Sequence, residues 1–274
     1  MPEPLKEEQF REQIYANHRE HWEHIHALHR LAENALISFR GPADTPYKEC
    51  LVLIFARAFK SYDAIRRLCE VAACEDAAVI LRSLLNLLVI VRWISLDEQK
   101  RARRYSHWYW IRMHAEASGM KDSVSAERLR FIQDRYDRVK SQFQYKDKKG
   151  AIRFFDNWYQ PEANTIRDLF VQVGLEKHYE EAYRPLSDIE HSDPTAFLQM
   201  IISIETTPNE KRLEIQSDLF VPEYLRNAFQ YFGDILRICN RTIRLCDGLD
   251  LENILSCGKR FFEGELRSRG INPY

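Results

Sequence analysis

The stretch Tyr183-Arg184-Pro185-Leu186-Ser187-Asp188-Ile189-Glu190-His191-Ser192 holds the sharpest candidate chemistry in the chain. Proline suits the first turn of a helix, where its missing N–H costs nothing. Pro185 therefore predicts a helix start with Arg184 at the entrance, near the positive end of the dipole. Arg184, Ser187 or Asp188, and His191 then stand three, four and seven apart and share one face. An arginine and a histidine so placed suit phosphate binding and proton transfer, with Tyr183, Ser187 and Asp188 near enough to orient a substrate. The plainer alternative is a helix start capped by Ser187 or Asp188, with His191 as a bonded partner.

Other stretches carry three more sets. Arg82 and Asn86 interrupt the apolar run 77–94 and stand one turn apart on one helix face. A lone guanidinium in such a helix is costly, so a buried, hydrogen-bonded pair is expected, either structural or holding a ligand phosphate. His18, His21, His24, His26 and His29 fall within twelve residues, and Glu23 with His26 has the E-x-x-H spacing of di-metal bundles. Only Asp188-x-x-His191 approaches the second motif such a site needs. A solvated face with adventitious zinc or nickel affinity is expected, and no metal centre. In Arg101, Arg103, Arg104, Tyr105, His107, Trp108, Tyr109, Trp110 and Arg112, guanidinium groups alternate with rings. That mixture suits single-stranded RNA, with Arg104 and Trp108 as contacts. It equally suits inward-packed rings with arginines lying over them.

These groups need helices to hold them. Residues 50–96 read as a helical hairpin joined at Ala73-Cys74-Glu75-Asp76. Its first half has Leu51, Ile54, Phe55, Ala58, Tyr62 and Ile65 at helical spacing, and its second half is apolar almost all round. A membrane span is excluded because Arg82 would sit near its middle. Flanking patterns predict helices over 3–39, 97–117, 122–143, 161–173 and 175–183, a helix restarting at Pro185, and helices over 222–246 and 249–274. Residues 144–160 read as an exposed loop. A break at Asp193-Pro194 precedes a core-like run 195–205 and a strand or extended arm at 206–220. The class is all-α, a single domain 1–274 built as a bundle around the 47–96 hairpin.

The totals narrow the function. In 274 residues the net charge is −1, so nucleic-acid or membrane attraction requires a local patch. With 9 Gly and 10 Pro, turns are too few for a strand-rich protein. The 6 cysteines lack CxxC pairing and lie mostly in helical patterns, which predicts reduced, buried thiols in the cytoplasm. The polar, acidic start MPEPLKEEQF predicts no signal peptide. No Gly-rich phosphate loop, GxSxG, HExxH or Cys/His zinc spacing occurs.

Residues 50–96 together with YRPLSDIEHS resemble an uncharacterised bacterial all-helical family of unknown function, in which the central helix reads like RSLLE and a later segment holds S…H. Here the helix reads Arg82-Ser83-Leu84-Leu85-Asn86, so Asn86 replaces the usual Glu. Arg184 followed after six residues by His191 also resembles the R-x(4–6)-H signature of HEPN helical bundles, with Pro185 in place of the usual polar residue. Many HEPN proteins are metal-independent ribonucleases of toxin–antitoxin and antiviral systems, working as dimers with both motifs at the interface. This second resemblance implies Arg184 on the scissile phosphate and His191 moving the proton. It further implies RNA as substrate, a homodimer, an antitoxin or effector protein as partner, and neither cofactor nor membrane. The competing expectation is a non-catalytic helical sensor or protein-interaction module; a metal-dependent bundle enzyme comes third.

Overall fold

The computed structural model describes residues 7–41, 43–120, 123–191 and 218–271. In chain order the helices are α1 (Glu7–Asn17), α2 (Arg19–Ser38), α3 (Pro46–Cys69), α4 (Cys74–Ser95), α5 (Glu98–Gly119) and α6 (Ala126–Val139). A 3-10 turn (Lys140–Phe143) leads into a hairpin of β1 (Gln144–Lys146) and β2 (Ile152–Phe154), then α7 (Ile166–Gln172). Next comes α8, a continuous helical run made of Glu176–His178, a π turn Tyr179–Tyr183 and Arg184–Glu190. The last two helices are α9 (Val221–Ile243) and α10 (Gly248–Ser268). The class is all-α, its two short antiparallel strands aside.

The hairpin falls where the apolar spacing puts it. Thr45 caps α3 by accepting the Lys48 N–H at 3.2 Å, and Pro46 occupies the first turn. Leu51, Ile54, Phe55, Ala58, Tyr62 and Ile65 line its buried face. α4 is long and apolar enough to cross a membrane by length and composition. Its apolar surround is instead occupied by protein, because α3, α5, α7, α8 and α9 all pack on it. The centre is α3, α4 and α9, where Tyr62 stacks on Phe232 at 4.5 Å and donates its hydroxyl to the Ile25 carbonyl. α2 packs on α3 and α9, and α10 closes over α2 and α9. That closure needs Gly258: a Cβ there would lie 2.3 Å from Cζ of Phe229.

Several expectations are corrected. The helix expected over 3–39 breaks at His18, whose φ −125° and ψ 33° separate α1 from α2. Residues 144–160 are no plain loop. Asp147 accepts the Lys149 and Ala151 N–H groups and Gly150 takes φ 80°, which turns β1 into β2; Trp158 and Tyr159 beyond it are buried. The helix expected from Pro161 starts instead at a Thr165–Asp168 capping box. Pro185 does not restart a helix. The π turn carries the chain through, with the Arg184 N–H bonded to Tyr179 O, so Arg184 sits inside α8 and not at a helix entrance. The Asp193-Pro194 break, the run 195–205 and the arm at 206–220 lie outside the described residues, except that Asp218, Leu219 and Phe220 form the turn into α9.

Candidate functional site

The π turn and the helix after it present three faces. The first packs on α4. Arg82 donates Nη2 to the Tyr183 hydroxyl at 2.8 Å and Nη1 to a Glu190 carboxylate oxygen, and its guanidinium lies 4.6 Å above the Tyr183 ring. Phe170 and Tyr179 hold that ring at 5.1 and 5.3 Å. Arg82 is therefore half-buried and paired with α8, which corrects the expected pair within α4. Asn86 supplies no partner for it: Asn86 Oδ1 and Arg82 Nε are buried with no hydrogen bond among the described residues. The seam thus keeps one donor and one acceptor unspent, in a place that excludes bulk water.

The second face lines a cleft of about 240 Å³ against α9, bounded by residues such as His178, Ala182, Pro185, Ile189, Tyr224 and Tyr231. Burial, and Arg92 after it, push the His178 pKa down. Neither Arg184 nor His191 lines this cleft.

The third face is exposed and carries the expected catalytic pair. Arg184 donates to Glu180 at 2.9 Å, and that hydrogen bond raises its pKa; Glu180 is shared with Arg167. His191 ends α8, its backbone N–H on the Ser187 carbonyl and its Nε2 4.0 Å from Glu190 Oε2. Seven residues at 1.5 Å each separate the two Cα atoms by about 10 Å along the axis. The fold puts Arg184 and His191 on one side of α8 without bringing their side chains together. It does put Arg82 and His191 beside Glu190, with Arg82 bridging to Tyr183. Ser187 is half-buried and Asp188 exposed.

Glu190 is the residue that sequence reasoning missed. Its signal was present: Tyr183, Leu186 and Glu190 form a stripe at three and seven, and a guanidinium in an apolar helix calls for an acid partner.

The basic aromatic stretch is corrected at its two named contacts. Arg104 donates to the carbonyls of Trp158 and Gln142 at 2.6 Å and to that of Gln160, and stacks 4.6 Å above Phe143. Burial lowers its pKa. Trp108 packs edge-on against Phe143 at 5.1 Å, and Arg101 lies 3.8 Å above Trp93 while bonding Glu162. These side chains fasten 140–162 to α5, so neither Arg104 nor Trp108 is free to hold a substrate.

Each histidine from His18 to His29 meets a different partner. His18 reaches Asp218 (3.3 Å), His21 Glu265 (2.9 Å) and His29 Asp63 (3.0 Å), while His26 lies beside Tyr15 and His24 beside Phe261. The expected solvated face is therefore a packing seam, and no group of metal-ligating side chains forms among the described residues. Burial lowers the pKa of His21, His24 and His26. Such groups bind protons more readily in the unfolded chain, so their stabilisation is complete above the unfolded pKa of about 6.5 and is lost as pH falls through the folded values. Urea midpoints should therefore fall from pH 7.5 to pH 5.5, and less so in His24→Asn/His26→Asn. An equal fall in wild type and double variant would refute this account of the acid limb.

An all-helical bundle with a polar seam between its central hairpin and a later helix is the class these observations define. Residues 48–209 match the model of a family of unknown function, DUF5677, and the chain belongs to that family. The matched span contains Arg82 and Glu190 and excludes α9, which completes the core. No curated protein and no solved structure is significantly similar to the chain.

Proposed function

We propose that this chain is a non-catalytic helical interaction module. One observation carries the reading: the arginines with catalytic potential are already paired within the chain. Arg82 is held by Glu190 and Tyr183, Arg104 by three carbonyls and Arg184 by Glu180, and the cleft between α8 and α9 is lined by neither Arg184 nor His191. A general base and a phosphate-binding arginine have to converge on one reacting group, and these two stand two turns apart. A cytoplasmic setting agrees with six cysteines that form no disulfide, although Cys257 is exposed where buried thiols were expected.

A second reading is a HEPN-like metal-independent ribonuclease or toxin-type effector of a defence system, acting as a homodimer and restrained by an antitoxin protein. It is favoured by His191, which stands in solvent beside a carboxylate that Arg82 orients. In a dimer the arginine for its phosphate would come from the second copy. Total RNA incubated with the protein and a chelator separates the two readings. The module predicts intact RNA. RNA cleavage that spares DNA and disappears in both Arg184→Ala and His191→Ala would replace the module with the nuclease.

A further inference from the structure

Residues 98–154 contain fifteen Lys and Arg against seven Asp and Glu, whereas the whole chain has net charge −1. The local excess of positive charge that nucleic-acid binding requires is thus concentrated in one unit, made of α5, α6 and the β1–β2 hairpin. The inner side of α5 anchors it through Arg101, Arg104 and Trp108. Its outer side is different. Tyr109 is 52% and Phe131 50% exposed, and Trp110 links them through ring contacts of 5.0 and 5.7 Å. Arg135 lies 5.2 Å from the Phe131 centroid. Arg112 is three residues from Tyr109, and Arg128 three from Phe131, so rings and guanidinium groups share the same stripes of α5 and α6. Both arginines are exposed and make no ion pair among the described residues.

A contiguous group of solvent-facing rings on a soluble fold is an interaction surface. The charge selects a polyanion, and the rings select one with unpaired bases over a duplex or a lipid headgroup. Bases stack on aromatic faces while arginines pair with phosphates. We infer that the outer face of α5 and α6 docks single-stranded nucleic acid, with bases on Tyr109 and Phe131 and phosphates on Arg112, Arg128 and Arg135. This names a partner class for the module proposed above and rests on that reading. Stacking does not read the 2′-hydroxyl, so RNA and single-stranded DNA bind alike.

The test is fluorescence anisotropy of labelled 20-mer oligo(U) and oligo(dT) with the full chain in chelator. Expected is binding to both that weakens steeply between about 50 and 200 mM salt. Tyr109→Ala/Phe131→Ala should lower the affinity about tenfold or more. Arg112→Gln/Arg128→Gln should flatten the log–log salt slope by about two. All four positions are exposed, and unchanged thermal melts of the variants confirm that the fold is intact. No binding at 50 mM salt, full affinity in the aromatic variant, or tighter binding to phosphatidylserine vesicles than to either oligonucleotide would overturn the inference. The two proposals fail separately: cleavage of the bound RNA removes the non-catalytic reading and leaves the docking face, whereas absent binding with intact RNA removes only the docking face.

Discussion

Arg104→Ala is expected to lose about 3 kcal/mol of folding stability, the largest loss from any polar substitution considered for this chain. Its guanidinium satisfies the carbonyls of Gln142, Trp158 and Gln160 at once and covers Phe143. Hydrogen bonds from a charged donor contribute about 1.5–3 kcal/mol each, and carbonyls left dry add a further penalty. The partial exposure of the site and its recovery of water bring the sum down to about 3 kcal/mol. Arg104→Lys should recover less than half, because a single ammonium cannot reproduce a planar fork aimed at three acceptors. Urea unfolding at pH 7.5 measures the loss, and Trp158 fluorescence should report loosening of 155–162. A loss below about 1 kcal/mol would restore Arg104 to the ligand-binding candidates.

Arg104 also illustrates where sequence is legible. Periodicity located α3, α4, α5 and α9, because one-sided burial of a helix writes itself into spacing at three and four. The same spacing is silent about which side of α5 faces inward. Rings and arginines occupy every face of RARRYSHWYWIRM, so the choice was decided by 140–162, of which 144–160 reads as a loop in the sequence and holds β1 and β2 in the structure. Three-residue strands are too short for an alternation to be recognised. The histidines from His18 to His29 were legible as a cluster and not as a seam, since Asp218 and Glu265 lie some two hundred and more residues away in sequence. At α8 a sound rule was overridden. Proline usually starts a helix, but a π turn shifts the bonding by one residue and carries an existing helix past it. That shift moved Arg184 from a dipole-assisted entrance to an exposed flank, and it aimed Tyr183 and Glu190 at α4.

The partnership so created makes Arg82 and Glu190 expected to behave as one unit. From the sequence, Arg82→Leu looks tolerable, because an apolar side chain suits an apolar helix. In the structure it leaves the Glu190 carboxylate against α4 with its charge uncompensated and frees the Tyr183 hydroxyl. Removing one member of a buried pair costs about 3–5 kcal/mol, and exposed pairs contribute about 1 kcal/mol or less. With side chains 17% and 30% exposed, this pair lies between those limits. Arg82→Leu should therefore lose about 2 kcal/mol. Glu190→Gln, which keeps an acceptor for Arg82, should lose about 1 kcal/mol. Arg82→Leu/Glu190→Leu should recover much of the deficit, with a coupling energy of about 1–2 kcal/mol in a double-mutant cycle. The cycle also tests the polar seam as a ligand site. If Arg82 holds a phosphate, Arg82→Lys should weaken the binding of inorganic phosphate while thermal stability barely moves. If it holds only Glu190, every single substitution should lower stability, phosphate should bind wild type no better than the variants, and only the double replacement should restore the fold. Strict additivity of the two leucine substitutions would show that Arg82 and Glu190 act independently and would remove the seam as the organising feature of α8.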